Sequence, residues 1–525
     1  MKPSIRHVAA IASLGFAGLG MTTSAHAAGD CAGLKSITLT GHTVSVSKAE
    51  MMPAGKAPVA PIPGAPPGAD LPARCLVEGM IDQRMGAAGK SYGVGFAVAL
   101  PEAWNGRFLF QGGGGLDGIL QSPVGAIASG GEPALARGFA VASTDSGHQS
   151  KGGFDATFFA DQQATVDFEY ASIGTVNQLA RKIIAAYYGK PAAHSYFTGC
   201  SMGGREAMVA AQRYPLQFDG VIAGSPAMHV GYSGIGDRWV STVLNSVAPK
   251  GADGKPEVSK VFTDGEKKTI MDGILKACDA KDGLKDGMIF NVKACGFDPA
   301  ELVCKGAKSD SCLTSDQANA IKRAFAGPKD SKGHQVYPGF YYDTGLTAKG
   351  FIAGLLNPGP SPVNGRNFST SMDVDAAAAQ AAANTANTIG DTANWTSLNS
   401  FFSRGGKMIF FHGVSDPWFS AQDTVGYYQR MTAANGGMDK VRAESSRIFL
   451  VPGMGHCGGG PATLDQFDLL TKLVSWVEDG KAPDSVTATG RDFPGRSRPL
   501  CAYPQHAQYT GKGDSEKAAN FTCAD

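Results

Sequence analysis

The sequence has almost no net charge and few charged residues. Its 525 residues include 47 Lys and Arg against 46 Asp and Glu, a formal net charge of +1. This balance excludes the long-range attraction to nucleic acid or to an anionic membrane that a strongly basic protein exerts. Charged residues make up only 18% of the chain while 43% are hydrophobic, so the composition indicates a globular protein rather than an extended disordered chain.

Long hydrophobic runs and zinc-type cysteine motifs are also missing. No window is apolar for long enough to cross a membrane. No pair of CxxC motifs occurs, which argues against a structural zinc site. The length instead suits two or three domains with a sizeable core.

The first 27 residues have the three parts of a secretory signal peptide. A basic start is followed by an apolar run over residues 8–19 and by an Ala-His-Ala tripeptide at 25–27, which fits the small-x-small cleavage rule. The alternative is a buried first helix, but the residues from Ala28 onward lack helical periodicity. We predict a signal peptide over 1–27, cleaved after Ala27, and a secreted or periplasmic protein.

The ten cysteines fit an oxidising compartment, since an even number in an exported chain indicates disulfides. Four of them crowd one short stretch, two lie near the start of the mature chain and two lie in its tail. Sequence alone does not determine which cysteines pair. For these eight we predict the pairs Cys31–Cys75, Cys278–Cys295, Cys304–Cys312 and Cys501–Cys523.

Strands and helices alternate in two parts of the chain, which is typical of a mostly parallel α/β sheet flanked by helices. The first part, 28–228, contains predicted strands at 92–100, 107–110, 138–143, 194–198 and 220–223 and helices at 171–188 and 205–214. The alternation stops over 229–400. It resumes over 401–525 with strands at 407–411 and 447–451 and a helix at 463–477. We predict that 229–400 is an inserted domain that covers the active edge of the sheet as a lid.

A candidate nucleophile lies between a predicted strand and a predicted helix. Residues 199–203, Gly-Cys-Ser-Met-Gly, match the G-x-S-x-G pattern. In this context a sharp turn raises Ser201 above the sheet edge, and the following helix directs its N-terminal amides at an anion formed there. The alternative is an ordinary serine in a glycine-rich turn, because the pattern also arises by chance.

A serine nucleophile needs a base, and the base needs an orienting carboxylate. Asp416 and His456 each follow the carboxyl end of a predicted strand. The chain order Ser…Asp…His is that of α/β-hydrolases, so we predict Ser201, His456 and Asp416 as a catalytic triad on that fold. The alternative interpretation is that Asp416 only forms a turn and that His456 is only a solvent-exposed loop residue. His148 and His412 are other candidates for the base, and the position of His412 suits a supporting role.

Two cysteines adjoin the proposed nucleophile and base. Cys200 precedes Ser201, and Cys457 follows His456. A Cys200–Cys457 disulfide would join the two loops across a large sequence gap and restrain the distance between serine and histidine. Cys200 as the nucleophile is the rival interpretation, but an oxidised thiol cannot attack.

The oxyanion of an acyl-transfer intermediate needs amide donors. The amide after the nucleophile, Met202, would supply one. A glycine run at 112–115 follows an early strand and suits close approach of the backbone to a substrate oxygen. We predict Gly114 as the second donor; a flexible loop is the alternative.

These residues resemble the tannase/feruloyl esterase family. The Cys-Ser and His-Cys dipeptides at 200–201 and 456–457 are far more specific than G-x-S-x-G. The resemblance extends over nearly the whole mature chain and implies an α/β-hydrolase fold with a large inserted disulfide-rich lid. It further implies a serine esterase acting on a small aromatic ester, with no organic cofactor, nucleic acid or membrane partner. Feruloyl and other hydroxycinnamoyl esters are the leading substrates, then galloyl esters, then terephthalate monoesters.

The same resemblance implies a structural calcium ion in the lid. Residues 278–288 form a glycine-punctuated acidic loop, and hard cations prefer oxygen ligands. The expected ligands are the side-chain carboxylates of Asp279, Asp282 and Asp286 and the backbone carbonyls of Leu284 and Met288. The spacing departs from an EF-hand, and an acidic surface turn is the alternative.

A hydrolase fold without activity, used as a binding or adhesion module, is the hypothesis from a different class. The presence of Ser201, Asp416 and His456 argues against it, since loss of any one would have favoured it. Nothing in the sequence specifies an oligomeric state.

Overall fold

The computed structural model describes residues 29–57, 68–125, 130–361 and 365–525. The predicted signal peptide and part of the Pro- and Gly-rich segment after residue 57 lie outside the described residues. Within them, no helix combines the length and the apolar character that crossing a membrane requires.

A nine-stranded mixed sheet forms the centre of the protein. Its strands are β1 (Val44–Met52), β2 (Arg74–Met85), β3 (Ser91–Pro101), β4 (Arg107–Gln111), β5 (Ala140–Thr144), β6 (His194–Cys200), β7 (Gly220–Gly224), β8 (Lys407–Gly413) and β9 (Ser446–Val451). Their order is β1-β2-β3-β5-β4-β6-β7-β8-β9. The first three pairings are antiparallel and the other five are parallel. The carboxyl ends of β4 and β6 to β9 therefore share one edge, where sites in such sheets form.

Helices cover both faces of this sheet and also make up much of the segment between β7 and β8. They are α1 (Gln162–Val166), α2 (Ser172–Tyr188), α3 (Met202–Arg213), α4 (Val230–Asn245), α5 (Asp264–Cys278), α6 (Ser315–Ala326), α7 (Val374–Ala383), α8 (Thr385–Ile389), α9 (Asn399–Phe402), α10 (Ala421–Ala434), α11 (Met438–Glu444) and α12 (Leu469–Asp479). Helices α2, α3 and α10 pack on one face, and α12 packs on the other.

The central strands are apolar on both sides because both faces are covered. Successive side chains of a strand point to opposite faces. Accordingly Phe108 and Phe110 of β4 belong to the core under α2 and α3, whereas Leu109 belongs to the core under α12. This explains why β4, β5 and β7 are almost continuously hydrophobic, which made them recognisable in the sequence.

The segment between β7 and β8 contains α4 to α9 and has a hydrophobic core of its own. Ile270 and Ile274 of α5 pack there with Ile321 and Phe325 of α6. The Cys278–Cys295 and Cys304–Cys312 disulfides lie in the same segment.

The C-terminal residues add two small antiparallel sheets. Strand β10 (Ser485–Thr489) pairs with β11 (Ser497–Cys501), and β12 (His506–Tyr509) pairs with β13 (Phe521–Ala524). The Cys501–Cys523 disulfide joins these sheets, and Cys31–Cys75 ties the N-terminal turn to β2. With Cys200–Cys457, the ten cysteines form the five pairs given above.

Candidate active site

Ser201 occupies the sharp turn between β6 and α3. Its backbone has φ 66° and ψ −125°, a strained conformation for a residue other than glycine. The Ser201 amide donates to the Gly224 carbonyl at 3.0 Å, and its carbonyl accepts from the Ala227 amide at 3.0 Å. Glycine is required beneath the turn: a Cβ on Gly199 would lie 2.3 Å from the carbonyl oxygen of Gly203. Strand and helix therefore approach closely, and the serine is held up from the sheet edge.

Helix α3 begins at Met202, three residues before the start predicted from the sequence. The first amides of a helix have no partner within the helix and carry the positive end of its dipole. The Met202 amide is therefore one of the free helix-terminal donors directly beside the nucleophile.

Asp416 and His456 form a buried carboxylate–imidazole pair. Asp416 Oδ2 lies 2.7 Å from His456 Nδ1, while Oδ1 accepts from the Trp418 and Phe419 amides at 2.9 and 3.1 Å. His412 lies beside this pair: its Nε2 is 3.3 Å from the same Oδ2 and 3.0 Å from the Phe419 carbonyl oxygen. Burial by itself would raise the pKa of Asp416, but the charges and hydrogen bonds of His456 and His412 hold that pKa below its usual range. The carboxylate thus stays ionised and fixes the imidazole.

The other imidazole nitrogen of the pair is available. His456 Nε2 is buried and has no hydrogen-bond partner among the described residues, so no hydrogen bond to Ser201 is formed in this structure. Such bonds often tighten only when substrate is bound. Cys200, which precedes Ser201, and Cys457, which follows His456, form a disulfide. Their Cα atoms are 6.0 Å apart, although the two cysteines are separated by 257 positions of sequence. The serine and histidine loops are therefore held together covalently.

An apolar cavity of about 130 Å³ opens beside Ser201. It is comparable to the ~150 Å³ apolar cavity that holds benzene in an engineered protein. The residues that line it are Gly115, Leu116, Phe154, Ser201, Met202, Ala227, Val230, Ser233, Gly234, Asp237, Ser361, Trp418 and Phe419.

Aromatic rings form one wall and the rim of this cavity. Trp418 and Phe419 lie against the His456 ring, with centroid distances of 4.8 and 5.2 Å. Phe351 is 70% exposed and lies 5.4 Å from Trp418 and 6.2 Å from Phe154. A flat apolar group bound here would lie next to the imidazole and the nucleophile.

The glycine run reaches the same cavity. Gly115 and Leu116 line it, whereas the predicted donor Gly114 is not among the lining residues. The Leu116 amide donates to the Gly153 carbonyl at 3.0 Å, which removes it as an oxyanion donor. The role of the Gly114 amide as an oxyanion donor stays a prediction. The next residue, Gly115, lies on the cavity wall.

Two buried carboxyl groups hold the glycine run in place. Glu206 of α3 accepts from the Gly113 amide at 2.9 Å, and Ser146 Oγ lies 2.8 Å from Glu206 and 2.6 Å from Asp117. Burial and the charge of Glu206 raise the pKa of Asp117 well above its usual value. Burial of the two carboxyl groups side by side therefore disfavours the charged form of Asp117. Sequence reasoning missed these residues, although an acid five positions after Ser201 and another two positions after the glycine run were visible in the sequence.

His148, the other candidate base, has a different environment. Its ring stacks on Phe158 at a centroid distance of 3.8 Å, and neither ring nitrogen has a partner among the described residues. Burial lowers its pKa to about 4, so it is neutral at physiological pH. Asp416 pairs with His456 rather than with this histidine.

The acidic loop of the lid is occupied by internal hydrogen bonds. Asp279 accepts from the Gly287 amide at 3.1 Å, Asp282 accepts from the Phe290 amide at 2.9 Å, and Asp286 accepts from Arg498 at 2.5 Å.

The donor set of this loop fits a hard cation, although its side chains do not form a ready-made shell. Burial, with the charges of Asp286 and Asp279, raises the pKa of Asp282 to about 7, so negative charge at this carboxyl is poorly compensated. In the part of the chain that the structure describes, however, no three acidic, histidine or cysteine side chains are grouped as metal ligands.

The strained serine, the helix terminus and the carboxylate–imidazole pair at one sheet edge define the class of serine hydrolases with an α/β-hydrolase fold. The model of the family described as "Tannase and feruloyl esterase" matches residues 75–388 and 363–524. The chain belongs to the tannase and feruloyl esterase family, and it is a carboxylic ester hydrolase.

Individual relatives are similar over most of their length. A mono(2-hydroxyethyl) terephthalate hydrolase of Piscinibacter sakaiensis is 39% identical, over 88% of this chain and 86% of that protein. A probable feruloyl esterase of Arthroderma benhamiae is 30% identical, over 81% of each. The crystal structure of feruloyl esterase B from Aspergillus oryzae superimposes with a TM-score of 0.74 at 25% identity, over 94% of this chain and 99% of that chain.

Removal of the Cys200–Cys457 disulfide tests its role in holding the site. We expect the Cys200→Ser, Cys457→Ser double variant to lose kcat at temperatures where it is still folded, because the serine and histidine loops are then no longer tethered. In the chain-entropy model, closing so long a loop also stabilises the fold by up to about 5 kcal/mol. Ester hydrolysis and thermal unfolding without reductant measure the two effects.

The matched control is the Cys304→Ser, Cys312→Ser double variant, which opens a disulfide that spans 8 positions in the lid. It should lower the unfolding temperature less and leave kcat close to wild type. Equal kcat in the two double variants would contradict a positioning role for Cys200–Cys457.

Proposed function

We propose that this protein hydrolyses esters of aromatic phenolic acids, with feruloyl and other hydroxycinnamoyl esters as the leading substrates. The observation that carries the proposal is an apolar cavity that Ser201 lines and whose rings Trp418 and Phe419 lie against His456, the partner of Asp416. Relatives named as feruloyl esterases support it. Galloyl esters are the second candidate substrates. Terephthalate monoesters are the third, because one relative is named for hydrolysis of such an ester.

In the first step Ser201 Oγ attacks the ester carbonyl carbon while His456 Nε2 accepts the hydroxyl proton. Asp416 holds the imidazole by its Nδ1–H and stabilises the imidazolium. The Met202 amide and an amide of the glycine run stabilise the oxyanion. The imidazolium then gives its proton to the leaving oxygen. The alcohol departs, and the aromatic acyl group is bonded to Ser201.

In the second step water attacks the acyl carbon, and His456 accepts its proton. The proton passes to Ser201 Oγ as the acyl–oxygen bond breaks, which releases the aromatic acid and restores the enzyme. Because its pKa is low, Asp416 stays ionised through both steps and does not take up the proton itself.

Substitution of the triad tests this mechanism. Ser201→Ala should abolish hydrolysis of methyl ferulate, methyl gallate and mono(2-hydroxyethyl) terephthalate, and Asp416→Asn should lower kcat by about 10⁴-fold because the imidazole loses its orienting charge. Product formation followed by chromatography measures both. Ser47→Ala, at an exposed position of β1, is the control and should match wild type. Residual hydrolysis by Ser201→Ala at the wild-type rate would refute the assignment.

We also propose that the chain is exported and loses its first 27 residues. The basic–apolar–small pattern of those residues and the five disulfides support this. The mass of the protein recovered outside the cytoplasm should correspond to a chain that begins at Ala28 with all cysteines oxidised. A full-length chain with free thiols would contradict export.

We propose a structural calcium ion held by the side chains of Asp279, Asp282 and Asp286 and the carbonyls of Leu284 and Met288. The oxygen-only donor set and the poorly compensated charge at Asp282 support it. Calcium at about 100 times its Kd would add roughly 2.7 kcal/mol to folding stability.

Thermal unfolding with calcium and with EDTA tests this site. Calcium should raise the unfolding temperature of the wild type and not that of Asp282→Asn. Asp272→Asn, at an exposed position of α5 paired with Lys268, is the control and should respond like wild type. An unfolding temperature of the wild type that calcium does not change would exclude the site.

A further inference from the structure

Among the described residues, Asp237 is the one charged side chain that lines the cavity beside Ser201. It belongs to α4, which follows β7. Val230, Ser233, Gly234 and Asp237 all line the cavity, and their i, i+3, i+4, i+7 spacing places them on one face of that helix. One helical face therefore forms a wall of the cavity, and it is apolar or weakly polar except at Asp237.

The helix places Asp237 away from the reacting serine. Near the start of α4, the Ala227 amide donates to the Ser201 carbonyl, so this end of the wall lies next to the nucleophile. Asp237 is seven residues beyond Val230, which is about 10 Å further along a helix axis at 1.5 Å per residue. An acyl group whose carbonyl lies at Ser201 would therefore direct its far end towards Asp237.

The Asp237 carboxylate has no hydrogen bond and no ion pair with any described residue. No Lys or Arg is among the described residues that line the cavity. A larger adjoining space of about 720 Å³ shares Val230, Gly234, Asp237 and Ser361 with the cavity and is also lined by Arg238 and Arg366. Neither arginine is within ion-pair distance of the carboxylate.

A partly buried carboxylate without a partner is unfavourable unless a ligand supplies a hydrogen-bond donor. Burial raises the pKa of Asp237 to about 6, so the group is ionised in neutral solution and acts there only as an acceptor. The negative charge of the Asp237 carboxylate also repels a negatively charged group on a ligand that enters the cavity.

We propose that Asp237 determines which acyl group the enzyme accepts. Its carboxylate accepts a hydrogen bond from a ring hydroxyl at the far end of a phenolic acyl group and rejects an acyl group that carries a carboxylate there. This inference rests on the proposed function, and it favours 4-hydroxycinnamoyl esters over monoesters of aromatic dicarboxylic acids. The selectivity would differ from that of the 39% identical relative, which is named for a terephthalate monoester.

Three methyl esters that differ only at the 4-position of the ring test the proposal. They are methyl 4-hydroxycinnamate, methyl cinnamate and methyl 4-carboxycinnamate. The wild type should prefer the hydroxyl over the unsubstituted ring by about 10- to 100-fold in kcat/KM, the range for a hydrogen bond to a charged group, and should disfavour the carboxylate.

Two variants of Asp237 separate hydrogen bonding from charge. Asp237→Leu should bring the hydroxyl-to-unsubstituted ratio close to 1. Asp237→Asn keeps an acceptor oxygen but loses the charge, so it should retain part of that ratio and raise kcat/KM for the carboxylate ester relative to methyl cinnamate by about tenfold. Asp272→Asn, which removes an exposed charge from α5, is the control and should keep both wild-type ratios.

The outcomes distinguish this inference from the proposed function. If the wild type and both Asp237 variants hydrolyse the esters with the same ratios, the role of Asp237 is wrong and the phenolic-ester activity stands. If the wild type hydrolyses none of the three esters, the proposed function fails and this inference fails with it. If Asp237→Leu does not fold, the near-isosteric Asp237→Asn decides, and an unchanged response to the carboxylate ester overturns the proposal.

Discussion

The close approach of the α3 backbone to the ends of β6 and β7 is the constraint on which the site depends. A Cβ on Gly204 would lie 2.2 Å from the Gly224 carbonyl, and one on Gly199 would meet the Gly203 carbonyl, so side chains are excluded at both positions. Because strand and helix meet this closely, Ser201 adopts its left-handed conformation and the first amides of α3 lie beside it. The raised position of Ser201 and the nearness of the first α3 amides therefore come from one local packing requirement.

The base and its carboxylate reach this turn from a distant part of the sequence, and two kinds of contact bring them into position. Strand β8 pairs in parallel with β7, and β9 pairs in parallel with β8, so Asp416 and His456 arrive at the same sheet edge as Ser201. The hydrogen bonds around Asp416 then set the orientation of the imidazole. Glu206 holds the glycine run to α3, the helix that follows Ser201.

Much of this could be predicted from the sequence, because the site lies where periodicity and spacing are informative. Buried parallel strands such as β4 and β7 are continuous apolar runs, and the Cys-Ser and His-Cys dipeptides identified both loops. Strands β1 and β2 were missed, since β1 is half-exposed and its apolar residues give no continuous run. Asp237 and the Asp117–Glu206 pair were missed for another reason: the acids are visible in the sequence, but their surroundings form only in the fold, where the glycine run meets α3 and where α4 lines the cavity beside Ser201.

The Cys200–Cys457 disulfide has a topological consequence besides its effect on the triad. It closes a covalent ring that contains the whole segment between β7 and β8, including the lid. A protease that cuts one peptide bond anywhere between these two cysteines opens the ring but cannot separate the pieces, because the disulfide still joins them. In a chain nicked in this way, the segment between β7 and β8 would remain attached to the sheet, and the loops that carry Ser201 and His456 would remain joined.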